Sequence, residues 1–118
     1  MKKKTVISKN YLERIPFRPH EINWKQDEEG VVTLEIENRG FMNRVAQKLF
    51  GKPRISYIHL DEMGSFLWVI LDGEKSILDL GVLVGEHFGE KANPLYERLA
   101  RYFQILDSYG FVKWANEK

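Results

Sequence analysis

The chain contains, from His59 to Gly73, the segment HLDEMGSFLWVILDG, and the elements on either side of it are predicted from this segment. Asp61 can accept a hydrogen bond from a first-turn amide, and Gly73 tolerates the positive φ that often ends a helix. Large apolar side chains recur between them at three- and four-residue spacing, which predicts a helix with a wide apolar face: Met63, Phe66, Leu67 and Ile70, widened by Trp68 and Leu71. A short helix with so many large apolar groups is predicted to be central.

The composition is typical of a single globular domain. The chain has 118 residues, 43% of them apolar, and 15 aromatic residues (three Trp, five Tyr and seven Phe). The absence of cysteine excludes disulfides, iron–sulfur clusters and thiol catalysis, and it fits the cytoplasmic location that we predict. No segment approaches the roughly 18 apolar residues of a membrane span. The net charge of +1 gives no general attraction to nucleic acid or anionic lipid.

Two proline residues separate an N-terminal arm from the rest of the chain. Pro16 and Pro19 interrupt any helix, so residues 1–19 are predicted to lie extended. Residues 20–118 are predicted to form one domain, with a helical insertion at residues 38–53.

Alternating apolar and polar residues predict a β-hairpin after the arm. The alternation runs from Glu21 to Lys25 and from Val31 to Glu37, and the acidic stretch from Asp27 to Gly30 supplies the turn. One face of the hairpin is expected to be covered and the other to be wet.

The insertion at residues 38–53 is basic. Residues 38–60 hold no carboxylate and five cations: Arg39, Arg44, Lys48, Lys52 and Arg54. Apolar residues at helical spacing predict a short amphipathic helix over residues 41–50. This helix can pack on the protein's own body, which is the default for so short a helix, cover a partner or lie on a membrane surface.

A third strand is predicted from Arg54 to His59, directly before the helix cap. Ile55 and Tyr57 are expected on one face of it, and Ser56 and Ile58 on the other. If this strand lies at the margin of the sheet, its outer amides and carbonyls are available to another chain. The same edge also allows a homodimer formed by exchanged hairpins.

Two more helices follow Gly73. Ser76 is expected to cap a helix that ends at Phe88 and carries Gly81 and Gly85 on one face, where they allow another backbone to approach or mark a helix that yields. Asn93-Pro94 opens the third helix, Gly110 ends it, and residues 111–114 return as an extended segment. Its predicted buried stripe consists of Leu95, Leu99, Tyr102, Phe103 and Leu106. The predicted fold is therefore α+β, a small antiparallel three-stranded sheet followed by a three-helix, winged helix-turn-helix-like bundle.

No residue pattern predicts catalysis or metal binding. The three histidines lie far apart in sequence without a metal-ligand spacing, the serines lack a histidine base in context, and the glycines form no phosphate-binding pattern. We therefore predict no enzyme, no cofactor and no metal. The alternative function is a winged-helix DNA-binding regulator. The third helix carries Arg98 and Arg101 but also Glu97 and Asp107, and this mixture argues against duplex binding.

The central segment and its neighbours resemble the PqqD family of peptide-recognition proteins. The resemblance is carried by Leu60-Asp61-Glu62-Met63-Gly64-Ser65-Phe66-Leu67-Trp68, by Asp72-Gly73, by Ser76-Ile77 with Leu80, and by Phe88-Gly89, Leu99, Leu106 and Gly110-Phe111-Val112. It covers residues 54–113 well and the hairpin loosely. The chain departs from the family pattern in its long basic insertion and in Gly81 and Gly85, which stand where helix-forming residues are usual.

The resemblance implies a binding module without chemistry of its own. In such proteins the leader segment of a ribosomally made precursor peptide adds as a strand to the sheet and lies in a cleft beside the last helix. The peptide is thereby presented to a modifying enzyme, often a radical-SAM protein. Carried onto this chain, the resemblance implies a peptide site made of Arg54, Ile55, Ser56, Tyr57 and Ile58 on the third strand and Tyr96, Leu99, Ala100 and Phe103 on the third helix.

Overall fold

The computed structural model describes residues 9–38 and 54–115, and within these ranges the fold is α+β, as predicted. The predicted helix at residues 41–50 and nearly all of the insertion around it lie outside the described residues. In chain order the elements are α1 (Lys9–Leu12), β1 (Pro16–Phe17), β2 (Asn23–Gln26), β3 (Val32–Asn38), β4 (Arg54–His59), α2 (Glu62–Ile70), α3 (Ile77–Phe88), a 3-10 turn (Gly89–Ala92), α4 (Leu95–Ser108) and β5 (Lys113–Trp114).

The chain divides into two compact units, and the division falls inside α2, after Ser65. One unit is His20–Ser65, which holds the three-stranded sheet; the other consists of Met1–Pro19 and Phe66–Lys118. The first 19 residues, predicted as a separate arm, thus group with the helical unit.

The expectation that the whole arm is extended is wrong for Lys9–Leu12, which form one helical turn. Proline restricts its own φ and the residue before it, so Pro16 excludes helix at Ile15 but not at Leu12. Pro16 and Phe17 then form β1, which is extended as predicted.

The sheet of the first unit has the order β2-β3-β4 and is antiparallel throughout. On one face, Val32 and Leu34 of β3 are fully buried, and Ile58 of β4 is half-buried. On the other face, Lys25 and Tyr57 are exposed. The prediction of one covered face and one wet face is confirmed.

The hairpin turn between β2 and β3 is the predicted one. The Asp27 carboxylate accepts hydrogen bonds from the amides of Glu29 and Val31, both at 2.9 Å. Gly30 has a φ of +90°, a conformation that glycine adopts without strain. The acidic stretch is therefore held as a turn by its own first residue.

Ser65 of α2 completes the pairing between β3 and β4. The Leu60 amide donates to the Val32 carbonyl at 2.9 Å, but the reciprocal bond is replaced by the buried Ser65 hydroxyl. That hydroxyl accepts from the Val32 amide at 2.9 Å and donates to the Leu60 carbonyl at 3.2 Å. The first turn of α2 is thereby tied to the end of the strand pair in the same unit.

Replacing Ser65 with alanine is expected to lower the free energy of unfolding by about 1–3 kcal/mol, because the buried Val32 amide loses its acceptor. Ser108→Ala is the matched control, since the exposed Ser108 hydroxyl donates to the carbonyl of Ile105, one turn earlier. Urea unfolding followed by circular dichroism measures both. Equal effects of the two substitutions would contradict the bridging role of Ser65.

The α2 helix has the predicted cap, with the Asp61 carboxylate accepting from the Gly64 amide at 2.7 Å. Its later residues Leu67 and Trp68 are fully buried. At the other end, in the second unit, the Arg18 guanidinium donates to the carbonyls of Trp68 at 2.7 Å and Val69 at 3.0 Å. A cation bound to the last carbonyls also stabilises the negative end of the helix dipole.

The α3 helix begins with the predicted Ser76 cap, reinforced by a reciprocal bond that the Ser76 amide donates to the Asp79 carboxylate. Gly81 faces α4: a Cβ built on it would lie 2.9 Å from the Leu99 Cδ1 and 3.1 Å from the Tyr96 Cε1. The atoms packed closest to Gly81 therefore belong to side chains of the neighbouring helix. The predicted alternative was a close approach by another backbone. At Gly85 the nearest atom is the Leu95 Cδ2, at an ordinary 3.8 Å.

The two glycines are expected to respond differently to alanine. Gly85→Ala should raise the free energy of unfolding by about 0.5–1 kcal/mol, because alanine favours the helix and meets no close neighbour. Gly81→Ala gains the same helix propensity but displaces Leu99, which is fully buried. Its free energy of unfolding should therefore lie below that of Gly85→Ala by at least about 1 kcal/mol. Urea midpoints measured side by side test the order, and the reverse order would contradict the tight contact at Gly81.

The segment that follows α4 turns back and pairs with β1. Gly110 has a φ of +76°, and the Phe111 amide donates to the Leu106 carbonyl at 2.8 Å, which closes the helix as a Schellman motif. The predicted extended return is present as β5, which pairs antiparallel with β1.

A cluster of side chains lies beside the β1–β5 pair. The Arg14 guanidinium lies 3.9 Å from the ring centre of Trp114, and the Trp114 indole nitrogen donates to the Asp107 carboxylate at 3.1 Å. Burial raises the pKa of Tyr11, whose ring meets Trp114 edge-on, while the Arg14 charge acts to lower it. This cluster joins α1, α4 and β5 within one unit.

Candidate functional site

The outer edge of β4 is the candidate site. In the part of the chain that the structure describes, β4 pairs with β3 and with no other strand. The Leu60 amide bonds to the Val32 carbonyl, so this pair belongs to the hydrogen-bonded set of the antiparallel ladder. Such pairs alternate with non-bonded ones, so Ile58 and Ser56 also direct their backbone groups toward β3.

It follows that Ile55, Tyr57 and His59 direct their amides and carbonyls away from β3. These three residues offer three donors and three acceptors in a row, which is the pattern that a further strand pairs with. Ile55 and Tyr57 were predicted as site residues from the sequence, whereas His59 was missed. The alternation by two residues along a predicted strand was the available signal for it.

The side chains at this edge are apolar and accessible. Ile55 is 42% exposed and Tyr57 is 60% exposed, so the predicted common face of these two residues is confirmed and neither belongs to the core. Ser56 and Ile58 point to the other face and are half-buried, also as predicted. Arg54, the first residue of β4, pairs in register with Asn38.

Charged residues of β3 and β2 lie next to β4 on the wet face. Glu37 lies opposite Ile55 and Glu35 lies opposite Tyr57 in the register with β3. Lys25 of β2 lies beside one of these charges, with its Nζ 3.4 Å from a Glu35 carboxylate oxygen. An incoming strand would therefore meet two apolar side chains, with charged residues of β3 beside them.

The His59 side chain lies further along the same face. Its ring shares a 2.7 Å hydrogen bond with the hydroxyl of Thr33, the residue opposite it on β3. This bond holds the ring over β3. The backbone groups of His59 point outward because of its place in the ladder. His59 thus contributes main-chain donors and acceptors to the edge.

Three of the four predicted site residues on α4 are buried. The burial of Leu99 and Phe103 agrees with the predicted buried stripe, whereas Ala100 lies outside that stripe and is buried against expectation. Leu99 and Phe103 have no exposed surface, Ala100 is 1% exposed, and only Tyr96, at 37%, reaches the solvent. Ala100 belongs to the buried stripe of α4, although it was not in the predicted stripe. Tyr102 was in the predicted stripe but is only half-buried. The small side chain of Ala100 made it compatible with either face.

The predicted site residues fall into different units. Arg54, Ile55, Ser56, Tyr57 and Ile58 belong to the unit His20–Ser65, and the four residues on α4 belong to the other. Within the second unit, Leu99 and Tyr96 come together at Gly81. The cleft between strand and helix that the resemblance implies stays a prediction.

The exposed face of α4 carries both signs of charge. Glu97, Arg98, Arg101 and Gln104 line a cavity of about 310 Å³ there. The Arg98 guanidinium is already bonded to the Lys91 carbonyl at 2.7 Å. One glutamate offsets one of the two arginines, so this face offers few of the cations that phosphate contacts require.

Neither metal clusters nor spanning helices occur in residues 9–38 and 54–115. No three His, Asp or Glu side chains there are grouped to hold a metal ion. No helix in the same ranges combines the length and the apolar character needed to cross a bilayer.

Comparison with known proteins finds no match. No protein-family model, no curated protein and no solved structure is significantly similar to this chain.

Proposed function

We propose that this protein is a non-catalytic peptide-binding module, which takes up an extended segment of a ribosomally made precursor peptide as an additional strand on β4. The observation that carries the proposal is the outer edge of β4, where Ile55, Tyr57 and His59 present outward backbone groups, the first two beside exposed apolar side chains. Strand addition draws affinity from main-chain hydrogen bonds and selectivity from alternate side chains.

The nature of the peptide and of its destination comes from the resemblance to the PqqD family. On that basis the ligand is the leader segment of a precursor peptide, and the partner is a modifying enzyme of the radical-SAM type in the cytoplasm. The module has no chemistry of its own in this proposal. It holds the leader so that the enzyme acts on the remainder of the precursor.

Titration of the labelled protein with leader segments encoded beside its gene tests the proposal by NMR. We expect the largest amide shifts at Ile55, Tyr57 and His59, together with slowed hydrogen exchange at these three amides. If no such leader perturbs β4, the proposal is abandoned.

A pair of substitutions at Tyr57 separates backbone from side-chain recognition. Tyr57→Pro removes an amide that points away from β3, so it spares the β3–β4 ladder while deleting one outward donor. Tyr57→Ala keeps the amide and removes only the ring. We expect Tyr57→Pro to weaken leader binding more than Tyr57→Ala does; equal binding by the two variants would mean that the peptide does not pair with this edge.

A further inference from the structure

The two exposed side chains of β4 specify a chemistry for the incoming strand. We propose that the peptide carries β-branched or aromatic side chains at two positions that are two residues apart. This inference rests on the proposed function, because it concerns the strand that β4 would accept. Beyond the proposed function, it states which side chains the peptide carries.

The spacing of the two positions follows from sheet geometry. A strand that pairs with the outward backbone groups of Ile55 and Tyr57 places one residue directly opposite each of them. Residues directly opposite one another in a sheet point to the same face, with Cβ atoms about 4.5–5.5 Å apart. Two residues of the peptide, separated by one, would therefore contact Ile55 and Tyr57 on the wet face.

The apolar character of the two positions follows from the surface to be covered. Tyr57 leaves 60% of its surface exposed and Ile55 leaves 42%, so each has apolar surface for an incoming side chain to cover. Pairs of aromatic and β-branched residues are the favoured cross-strand combinations. A valine, isoleucine, tyrosine or phenylalanine fits both positions, and a small or polar side chain leaves the apolar surface in water.

The opposite edge of the sheet lacks these features. Strand β2 is four residues long against six for β4, and its exposed face carries Lys25. A lysine in a short edge strand is a common device against pairing. Of the two edges in the described sheet, the one at β4 is therefore the one suited to an apolar strand.

A displayed library of random 12-residue peptides tests the inference with no ligand identified in advance. We expect peptides selected on the wild-type protein to share two β-branched or aromatic residues at a spacing of two. On Tyr57→Lys the position opposite residue 57 should change to Asp or Glu, and on Ile55→Lys the other position should change. Synthetic peptides with the matching exchange should regain most of a roughly fivefold loss of affinity.

Val82→Lys is the matched control, because Val82 is similarly exposed, at 52%, but lies on α3. It should select the wild-type pattern. If bound peptides show the same pattern on all four proteins, this inference is overturned while strand addition at β4 stands. If wild type enriches no more peptides than Tyr57→Pro does, the inference and the proposed function both fail.

Discussion

Replacing Trp68 with alanine is expected to lower the free energy of unfolding by about 3–5 kcal/mol. The ring has no exposed surface, so its removal loses the transfer free energy of a large aromatic group and leaves a cavity. Small domains have about 5–15 kcal/mol of stability in total, so the substitution would remove a large fraction of it. Urea unfolding followed by far-ultraviolet circular dichroism is the appropriate measurement, because the substitution removes a fluorophore.

Val69→Ala is the control for Trp68→Ala, since Val69 is the next residue of α2 and is 38% exposed. It should cost about 1 kcal/mol or less. The folded fraction of Trp68→Ala should still bind a leader peptide, because the proposed strand pairing does not use Trp68. A variant that kept its stability and lost peptide binding would show that the site has been misplaced.

The second large effect is expected for Phe103→Ala, again about 3–5 kcal/mol of destabilisation. Phe103 is fully buried in α4, and its ring lies 5.0 Å from that of Tyr102 and 6.1 Å from that of Trp114. The resemblance to the PqqD family would instead make Phe103 a peptide contact. Measuring stability and leader affinity on the same variant separates these two roles.

Two further variants of α4 separate packing from binding. Phe103→Leu keeps an apolar side chain at the buried position, and Tyr96→Ala removes the ring of the partly exposed Tyr96. We expect Phe103→Leu to fold and to bind leader peptide like the wild type. A stable Phe103→Leu with weakened binding would return Phe103 to the site. If the resemblance holds for α4, Tyr96→Ala is the variant on this helix that weakens binding without unfolding the protein.

Several helix boundaries were predictable because they depend on local chemistry, although α2 ends at Ile70 and not at the predicted Gly73. Asp61 and Ser76 accept hydrogen bonds from nearby amides, and Gly110 takes up a positive φ; each of these acts within a few residues. The alternation in β3 and β4 likewise predicted which side chains share a face. The α+β class followed from the order of these elements.

The exposure of α4 residues could not be predicted to the same degree. A helix with apolar residues on more than half of its surface can bury several different stripes, and the choice depends on neighbours distant in sequence. Ala100 fits either face by size, and its burial follows from how α4 packs. The Gly81 contact is similar: the sequence showed a glycine on a helix face, but not that Leu99 and Tyr96 would fill the space.

The candidate site was half predictable for the same reason. The alternation of Ile55 and Tyr57 is visible in the sequence, whereas the position of β4 at the margin of the described sheet depends on pairing across the chain. The outward direction of the His59 backbone groups depends on the Leu60–Val32 bond. That bond and the strand register are both needed to infer the direction, and neither can be read from the sequence.

The outer edge of β4 also has a consequence for the protein in the absence of ligand. Within residues 9–38 and 54–115 no further strand covers this edge, and an uncovered edge can pair with other extended chains, including partly folded copies of the same protein, and so promote aggregation. The residues between Arg54 and His59 include neither lysine nor proline to prevent this. If the proposed peptide pairs with β4, it would also act as a solubilising cap, and the concentration at which the protein remains in solution would rise when the peptide is added.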